Sequence, residues 1–349
     1  MNFARRPAVM MLVFAAGISA AAAVSSAAAQ DVERFYAGRK LSVVIGHEVG
    51  SGFDLYGRAL ARHMGRFIPG NPNLVPENMI GVAGLVAANW LYNVAAKDGS
   101  VISIFAHTAP FEPLLGKGAA RFDASKFTWI GNMDAVTGIC GVWEHAGIAT
   151  FDDLFTREIL VGAGGAGTVG PLTQFPTALR RLLGARLKLI QGYKGSAEIR
   201  LALARGELQG ICGLPLSTVK TEWKDDYNAG RFRIILQLGR DRNPALGAVP
   251  HVYDYVKSDE DRQIFDLIFG LQAIGRPFAA PPGIPPDRAR ALRAAFMAMT
   301  KDAAFLAEAG RMSLDVTPSS GEDVQAFVAR IYASPPAIIG RAKEALRLE

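Results

Sequence analysis

The sequence predicts an α/β fold made of two lobes joined by a hinge. Short apolar runs that suit strands alternate with amphipathic stretches that suit helices, which is typical of a mainly parallel sheet with helices on its faces. Two such series follow one another along the 349 residues, and a chain of this length usually divides into more than one hydrophobic core. A hinged pair of α/β lobes is therefore the expected architecture.

The first series occupies the beginning of the chain after residue 40. Strands are expected at 41–45, from 74–75 to the loop at 78–84, and at 101–105, and helices are expected at 54–67 and 85–94. The second series follows, with strands at 158–161, 187–190, 208–212 and 232–238 and helices at 172–183 and 195–205. Residues 270–274 are predicted as a strand and 277–286 as a proline-rich crossing. Helices at 286–300, 302–309 and 321–331 complete the pattern.

These patterns divide the chain into four segments. Residues 1–29 form a predicted signal peptide, because Arg5 and Arg6 precede an apolar core at 8–24 and small alanines at 27–29. That core is short for a membrane anchor, so cleavage is favoured. Residues 30–139 are assigned to the first lobe and 140–267 to the second. Residues 268–349 are expected to return to the first lobe and to end in helices.

Charge and cysteine content exclude several functions. The net charge of +6 is mild and scattered, and no basic run is interleaved with aromatic residues, so nucleic acid is not an expected partner. The two cysteines, Cys140 and Cys212, show no metal-binding spacing. In an oxidising compartment they form either one disulfide or two buried thiols, and the sequence leaves both open. No metal site is predicted.

Three glycine-containing loops follow predicted strands. They lie at 50–52, 78–84 and 162–168, two in the first lobe and one in the second. The carboxyl ends of parallel strands meet at one edge of a sheet, where ligands bind, and a helix that begins there presents N–H groups to an anion. Each loop alone is explained by an ordinary turn that needs glycine. Together they predict an anion-binding cleft between the lobes.

The third loop also matches a dinucleotide-binding pattern. Gly162, Gly164 and Gly167 have the required spacing between a strand and a helix. The acidic residue that should follow the next strand is replaced by Gln191-Gly192-Tyr193-Lys194. An exported oxidoreductase is thus a weak alternative, and no cofactor is expected.

Several stretches in order along the chain resemble one family of receptors. They are Phe35–Arg39, Gly50–Asp54 with Arg58, Glu77-Asn78 with Ala83-Gly84, Lys97–Gly99, Gly192–Gly195 with Gly206, Val249-Pro250, and Ala280–Pro285. Over essentially the whole mature chain the sequence resembles the Bug-type substrate-binding receptors of tripartite tricarboxylate transporters. This resemblance implies a type II periplasmic-binding-protein fold, a hinged Venus flytrap whose lobes close on a carboxylate.

The resemblance also implies a set of ligand-facing residues. They are Gly50, Ser51, Gly52, Asn78, Ala83, Gly84, Gly164, Gly165, Ala166, Gly167 and Thr168. Phe53 and Asp54 belong to the first loop, where Asp54 suits the first turn of a helix better than a catalytic role. His107 and Thr108 follow the third strand and are added to the cleft, whereas His63, His145 and His251 are expected at the surface.

The first loop departs from the pattern of this family. Val49 and Ser51 stand where proline and glycine are usual, and Glu48 would repel a dianion if it faced the cleft, although solvent is its expected place. These departures leave the kind of carboxylate open.

The predicted function is capture of a small carboxylate in the periplasm and its delivery to integral membrane transporter subunits. No catalysis is implied, and a monomer is expected. The alternative is a periplasmic sensor subunit whose closed form signals through a membrane receptor.

Overall fold

The structure is a computed structural model that describes residues 30–116, 118–164 and 170–347. The predicted signal peptide at 1–29 and the loop residues Gly165, Ala166, Gly167 and Thr168 lie outside the described residues. No helix in the described part of the chain is long and apolar enough to cross a membrane.

The first sheet has six strands in the order β11-β4-β10-β3-β1-β2. Its strands are β1 (Lys40–Ile45), β2 (Asn73–Asn78), β3 (Val101–Ile104), β4 (Thr128–Asn132), β10 (Pro277–Ala280) and β11 (Ser319–Ser320). β1 lies parallel to both β2 and β3, so the carboxyl ends of these three strands share one edge. Ile45 pairs with Asn78 on one side and with Ile104 on the other.

The second sheet has five strands in the order β7-β6-β8-β5-β9. Its strands are β5 (Gly138–Trp143), β6 (Ile159–Gly164), β7 (Leu187–Tyr193), β8 (Gly210–Pro215) and β9 (Phe232–Leu238). β6 lies parallel to β7 and β8, whereas β5 is antiparallel to β8 and β9.

Both sheets are mixed, which corrects the expectation of mainly parallel sheets. The chain enters the second sheet through the reversed strand β5, after residues 133–137, and it returns to the first sheet through the reversed strand β10. β10 is antiparallel to β3 and β4, and the short β11 is antiparallel to β4.

Helices lie between and around the strands. They are α1 (residues 30–36), α2 (Gly52–His63), α3 (Leu85–Asn93), α4 (Glu112–Leu115), α5 (Pro171–Leu183), α6 (Ser196–Ala204), α7 (Leu216–Thr221), α8 (Lys224–Asn228), α9 (Asp259–Ile268), α10 (Pro286–Met299), α11 (Ala303–Arg311), α12 (Gly321–Tyr332) and α13 (Pro336–Ala345). Their starts follow local chemistry: proline opens α5, α10 and α13, and Ser320 with Asp323 forms a capping box for α12.

The apolar faces of the helices cover both sheets. α2 buries Tyr56, Ala59 and Leu60 at helical spacing against the first sheet. On the same sheet the ring of Phe296 from α10 occupies the space that a Cβ on Gly131 would need, so β4 and α10 approach closely. The core that positions the loops therefore lies directly beneath the carboxyl edge.

One predicted strand is wrong. Residues Gly270–Ile274 form a 3-10 helix, and the returning strand is Pro277–Ala280, within the segment predicted as a crossing. Neither segment shows the polar alternation that would separate a strand from a helix, because all their residues except Ala273 are buried. Two buried strands of one sheet flank β10, and this pairing decides its conformation.

The two cysteines lie opposite each other on β5 and β8. Cys140 and Cys212 are register partners in this antiparallel pair, and their Sγ atoms are joined in a disulfide. Both side chains are buried. The bond links positions 72 residues apart and ties together the centre of the second sheet.

Candidate functional site

The loop after β1 ends in the capped start of α2. The Ser51 hydroxyl accepts the N–H of Asp54 at 3.3 Å, and the Asp54 carboxylate accepts the N–H of Gly50 at 2.9 Å. The N–H groups of Gly52 and Phe53, in the first turn of α2, have no acceptor among the described residues. These two amides and the positive end of the helix are free to hold an anion.

A buried carboxylate fixes the shape of this loop. Asp54, only 1% exposed, accepts the Nε–H of Arg58 at 2.9 Å and an Nδ2–H of Asn78 at 2.8 Å. Arg58 also donates to Asn78 Oδ1 at 2.7 Å, and Asn78 donates to the His47 carbonyl at 2.9 Å. Burial alone would raise the pKa of Asp54, but the bonds from Arg58, Gly50 and Asn78 hold this pKa below its usual value.

This network changes the roles expected for three site residues. Asp54 and Asn78 direct their polar atoms into the protein, and both Nδ2 hydrogens of Asn78 are in use. They clamp the loops after β1 and β2 to each other. The Ser51 hydroxyl accepts a bond as the helix cap and keeps its own hydrogen for another acceptor.

Beside the loop lies an arginine that the sequence did not single out. The guanidinium carbon of Arg276 is 4.4 Å from the ring centre of Phe53 and 5.2 Å from that of Tyr56. Its Nη1 donates to the Gly275 carbonyl at 3.1 Å, while its buried Nε has no partner in the described part of the chain. Nη2 is 3.4 Å from the position that a Cβ on Gly52 would occupy. The cation therefore lies against the free helix N-terminus.

Two neutral histidines accompany this cation. The His47 ring stacks on Phe53 with centres 4.1 Å apart, and burial followed by the charge of Arg276 lowers the pKa of His47 to about 4. The same two causes lower the pKa of His107 to about 3, and its two buried ring nitrogens have no partner among the described residues. Nearby, burial raises the pKa of Asp134 to about 6, although the Thr317 hydroxyl donates to it at 2.6 Å.

The loop after β2 packs tightly against its neighbours. Gly84 has a φ of +87°, and a Cβ there would lie 2.7 Å from Cβ of Phe105. Both the backbone conformation and the lack of space therefore favour glycine at this position. A Cβ on Gly46 would lie 2.8 Å from Cα of Gly84, which shows how closely the first two loops approach. Ala83 precedes Gly84 in a 3-10 helix, and Thr108 is buried at the end of the segment after β3.

The rim of these loops is apolar. Val49, Ile80 and Val82 are 71%, 58% and 63% exposed, and all three lie in the loops after β1 and β2. Glu48, beside Val49, is exposed to solvent as expected. A small group of uncovered apolar side chains around a polar centre is typical of a surface that is covered when something binds.

The second sheet presents a matching edge. β6 ends at Gly164, and α5 begins after Gly170 with Pro171, which has no N–H to donate. The Leu172 N–H has no acceptor among the described residues. A depression of about 490 Å³ lies at this point, lined by Gly164, Gly170, Pro171, Leu172, Thr173, Gly192, Tyr193 and Lys194. Here too a helix N-terminus opens beside the carboxyl ends of parallel strands.

Sequence reasoning missed Arg276 and misplaced two histidines. His63 and His251 are buried rather than at the surface; His63 Nε2 lies 2.6 Å from Glu308 Oε2, and His251 stacks on Tyr253. His145 is exposed. A signal for Arg276 was available, because it is the only charged residue between positions 266 and 287. A single charge in a long apolar stretch is seldom left without a role.

Comparison with known proteins places the fold. No family model and no curated protein matches the sequence. Among solved structures, a TctC solute-binding protein from Polaromonas without ligand has a TM-score of 0.68 and 21% identity over 88% of this chain and 99% of that one. The periplasmic binding protein BugD has a TM-score of 0.62 and 20% identity over 89% of this chain and 98% of that one. MatC from Rhodopseudomonas palustris with bound malate has a TM-score of 0.59 and 16% identity over 89% of this chain and 99% of that one.

Each of these structures is covered almost completely by the match, which extends over 88–89% of this chain. The resemblance to TctC and Bug-type proteins that the sequence motifs indicated is thus found again in three dimensions. The chain has the two-lobed fold of the periplasmic binding proteins of the TctC and Bug type.

Proposed function

We propose that this chain is an exported solute-binding protein that captures a small carboxylate between its two lobes and delivers it to a tripartite tricarboxylate-type membrane transporter. The observation that carries the proposal is the pair of free helix N-termini, α2 on the first sheet and α5 on the second. Each begins at the carboxyl edge of parallel strands. The N–H groups of Gly52 and Phe53 in α2 and that of Leu172 in α5 have no acceptor among the described residues. That MatC holds malate supports a carboxylate as the ligand class.

Capture follows from the division of the donors between the two sheets. A carboxylate bound to one lobe leaves the donors of the other lobe without a partner, so ligand stabilises the closed arrangement more than the open one. Each charge-assisted bond contributes about 1.5–3 kcal/mol, and three such bonds offset the cost of immobilising a small anion. The mechanism involves no bond-making chemistry.

The lobes are proposed to extend over 30–139 and 268–349 for the first and 140–267 for the second. The crossings between the sheets lie at 133–137 and after β9. A cavity of about 270 Å³ lies at the first of these crossings, lined by residues at 134–137, 216–217, 220, 243 and 315–317.

A ligand screen tests this proposal. We expect mono-, di- and tricarboxylates to include at least one that raises the melting temperature of the purified mature protein and gives calorimetric heat. A panel without either response would contradict carboxylate capture.

A proline variant tests the helix N-terminus itself. Gly52→Pro removes one free N–H at the first position of α2, where proline suits the helix. We expect the affinity for the best ligand to fall about tenfold or more, since one charge-assisted bond is lost. Ala303→Pro, at the same position of α11 and away from both loops, is the matched control and should bind normally.

A further inference from the structure

We propose that the ligand is a monocarboxylate with an apolar body and that Arg276 is the cation that binds its carboxylate. This inference rests on the proposed function, because it names the class of ligand that the same cleft takes. It goes beyond backbone recognition, which accepts any carboxylate.

Arg276 carries a charge that no carboxylate contacts directly. No carboxylate oxygen lies within 4.0 Å of its nitrogens in the described part of the chain, where Asp134 acts on it only at longer range. The Gly275 carbonyl and the Tyr56 hydroxyl are its hydrogen-bond partners, and its buried Nε has none among the described residues. A guanidinium that has left water without a carboxylate in contact costs free energy, which the rings of Phe53 and Tyr56 offset only partly. A ligand carboxylate would supply the missing partner.

Arg276 lies beside the start of α2. Nη2 of Arg276 lies against Gly52, whose N–H, with that of Phe53, is free at the start of α2. A carboxylate has two oxygens, so one can accept from the guanidinium while the other accepts from the helix amides. The side chain and the backbone thus converge on one anion.

Among the described residues of the site, Arg276 is the buried cation that no carboxylate contacts. Arg58 is engaged by Asp54 and Asn78, and His47 and His107 are held neutral by their burial. On the second sheet, Lys194 is exposed and lies 3.9 Å from Glu198. A ligand with a second carboxylate would find no free buried cation among the described residues.

The loops after β1 and β2 expose apolar side chains. Val49, Ile80 and Val82 stand uncovered around the loops that hold the anion, where a charged group would lose hydration without gaining a partner. An aliphatic or aromatic body would cover these side chains and gain from their removal from water. The exposed Glu48 next to Val49 further opposes a second negative charge.

The wild-type protein gives the first test. Calorimetry compares hexanoate, adipate and hexanamide, which share a six-carbon chain and carry one, two and no charges. We expect hexanoate to bind at least tenfold more tightly than adipate, and hexanamide to bind most weakly. Adipate binding as tightly as hexanoate or more tightly would overturn the inference while leaving carboxylate capture intact. Failure of all carboxylates, including a wider panel, would instead overturn the proposed function as well.

Variants give the second test. Arg276→Gln removes the charge, and Arg276→Lys keeps it for the case in which the first variant does not fold. We expect hexanoate affinity to fall at least tenfold in Arg276→Gln and less in Arg276→Lys. Arg288→Gln is the matched control, because Arg288 also packs on a ring, that of Phe35, and donates to a carbonyl, but lies away from the loops. Equal loss in the control, or unchanged hexanoate binding in Arg276→Gln, would show that Arg276 is only structural.

Discussion

Replacing Asp54 by asparagine tests whether a buried carboxylate holds the binding loops in shape. The change removes the charge that accepts from Arg58, Asn78 and Gly50, and it leaves the Arg58 guanidinium, about one third exposed, without its counter-ion. Breaking a buried ion pair from one side costs about 3–5 kcal/mol. Because Arg58 reaches solvent in part, we expect a loss near the lower end, about 3 kcal/mol.

The assay combines unfolding with binding. Urea unfolding of Asp54→Asn and wild type gives the change in the free energy of unfolding, and calorimetry with the best carboxylate gives the change in affinity. Asp226→Asn is the matched control, since Asp226 is also buried and holds Arg200 at 2.6 Å and Arg231 at 2.8 Å in the second lobe. Both variants should lose stability, but only Asp54→Asn should lose ligand affinity, by about tenfold or more.

Two results would refute this reasoning. A stability loss below about 0.5 kcal/mol in Asp54→Asn would mean that the network behaves like a surface ion pair. Unchanged affinity in a folded Asp54→Asn would mean that the loop keeps its geometry without the clamp.

Three further outcomes are expected. The intact mass should be two hydrogens lower before reduction than after it, and breaking the Cys140–Cys212 bond should lower the free energy of unfolding by about 2–4 kcal/mol; equal masses would contradict the bond. The pKa of buried His107 is about 3 in the folded state against an ordinary 6.5, so the unfolded chain takes up the proton first as the pH falls. The free energy of unfolding should therefore fall below about pH 6.5 by about 1.4 kcal/mol per pH unit. The urea midpoints at pH 7 and pH 5 should differ less in His107→Gln than in wild type, and an equal difference would contradict the buried neutral ring. Gly84→Ala should destabilise by about 1–3 kcal/mol, because the new Cβ meets Phe105 at a positive φ, and a stabilised variant would show that the loop is open there.

Much of the fold follows from local patterns in the sequence. The strand at 41–45, the helix after it and the elements between residues 159 and 238 were predictable because their apolar residues form runs or repeat at helical spacing. Direction and pairing were not predictable, since β5 and β10 are reversed by the route of the chain between the lobes rather than by their own residues. Thr128–Asn132 was also missed, because a short buried strand has no polar alternation.

The sheet edge that carries the glycine loops was predictable from the sequence, but the hydrogen bonds that individual residues make there were not. Glycine loops after strands indicated the cleft edge, and that edge carries the free amides of Gly52 and Phe53. Only the structure shows that Asn78 and Asp54 hydrogen-bond to each other and to the loops themselves. Partners in separate loops have no fixed spacing in the sequence, so these bonds could not be predicted from it. Arg276 joins the site across more than 200 residues of sequence from Phe53, a distance that no local motif spans.

A crystal structure of the protein with the carboxylate that stabilises it most would test the central claim most directly. The account predicts closed lobes, with carboxylate oxygens within hydrogen-bonding distance of the Gly52 and Phe53 N–H groups and the rest of the ligand in contact with the start of α5. A ligand bound outside this cleft, or held by one lobe alone in an open structure, would contradict capture by closure.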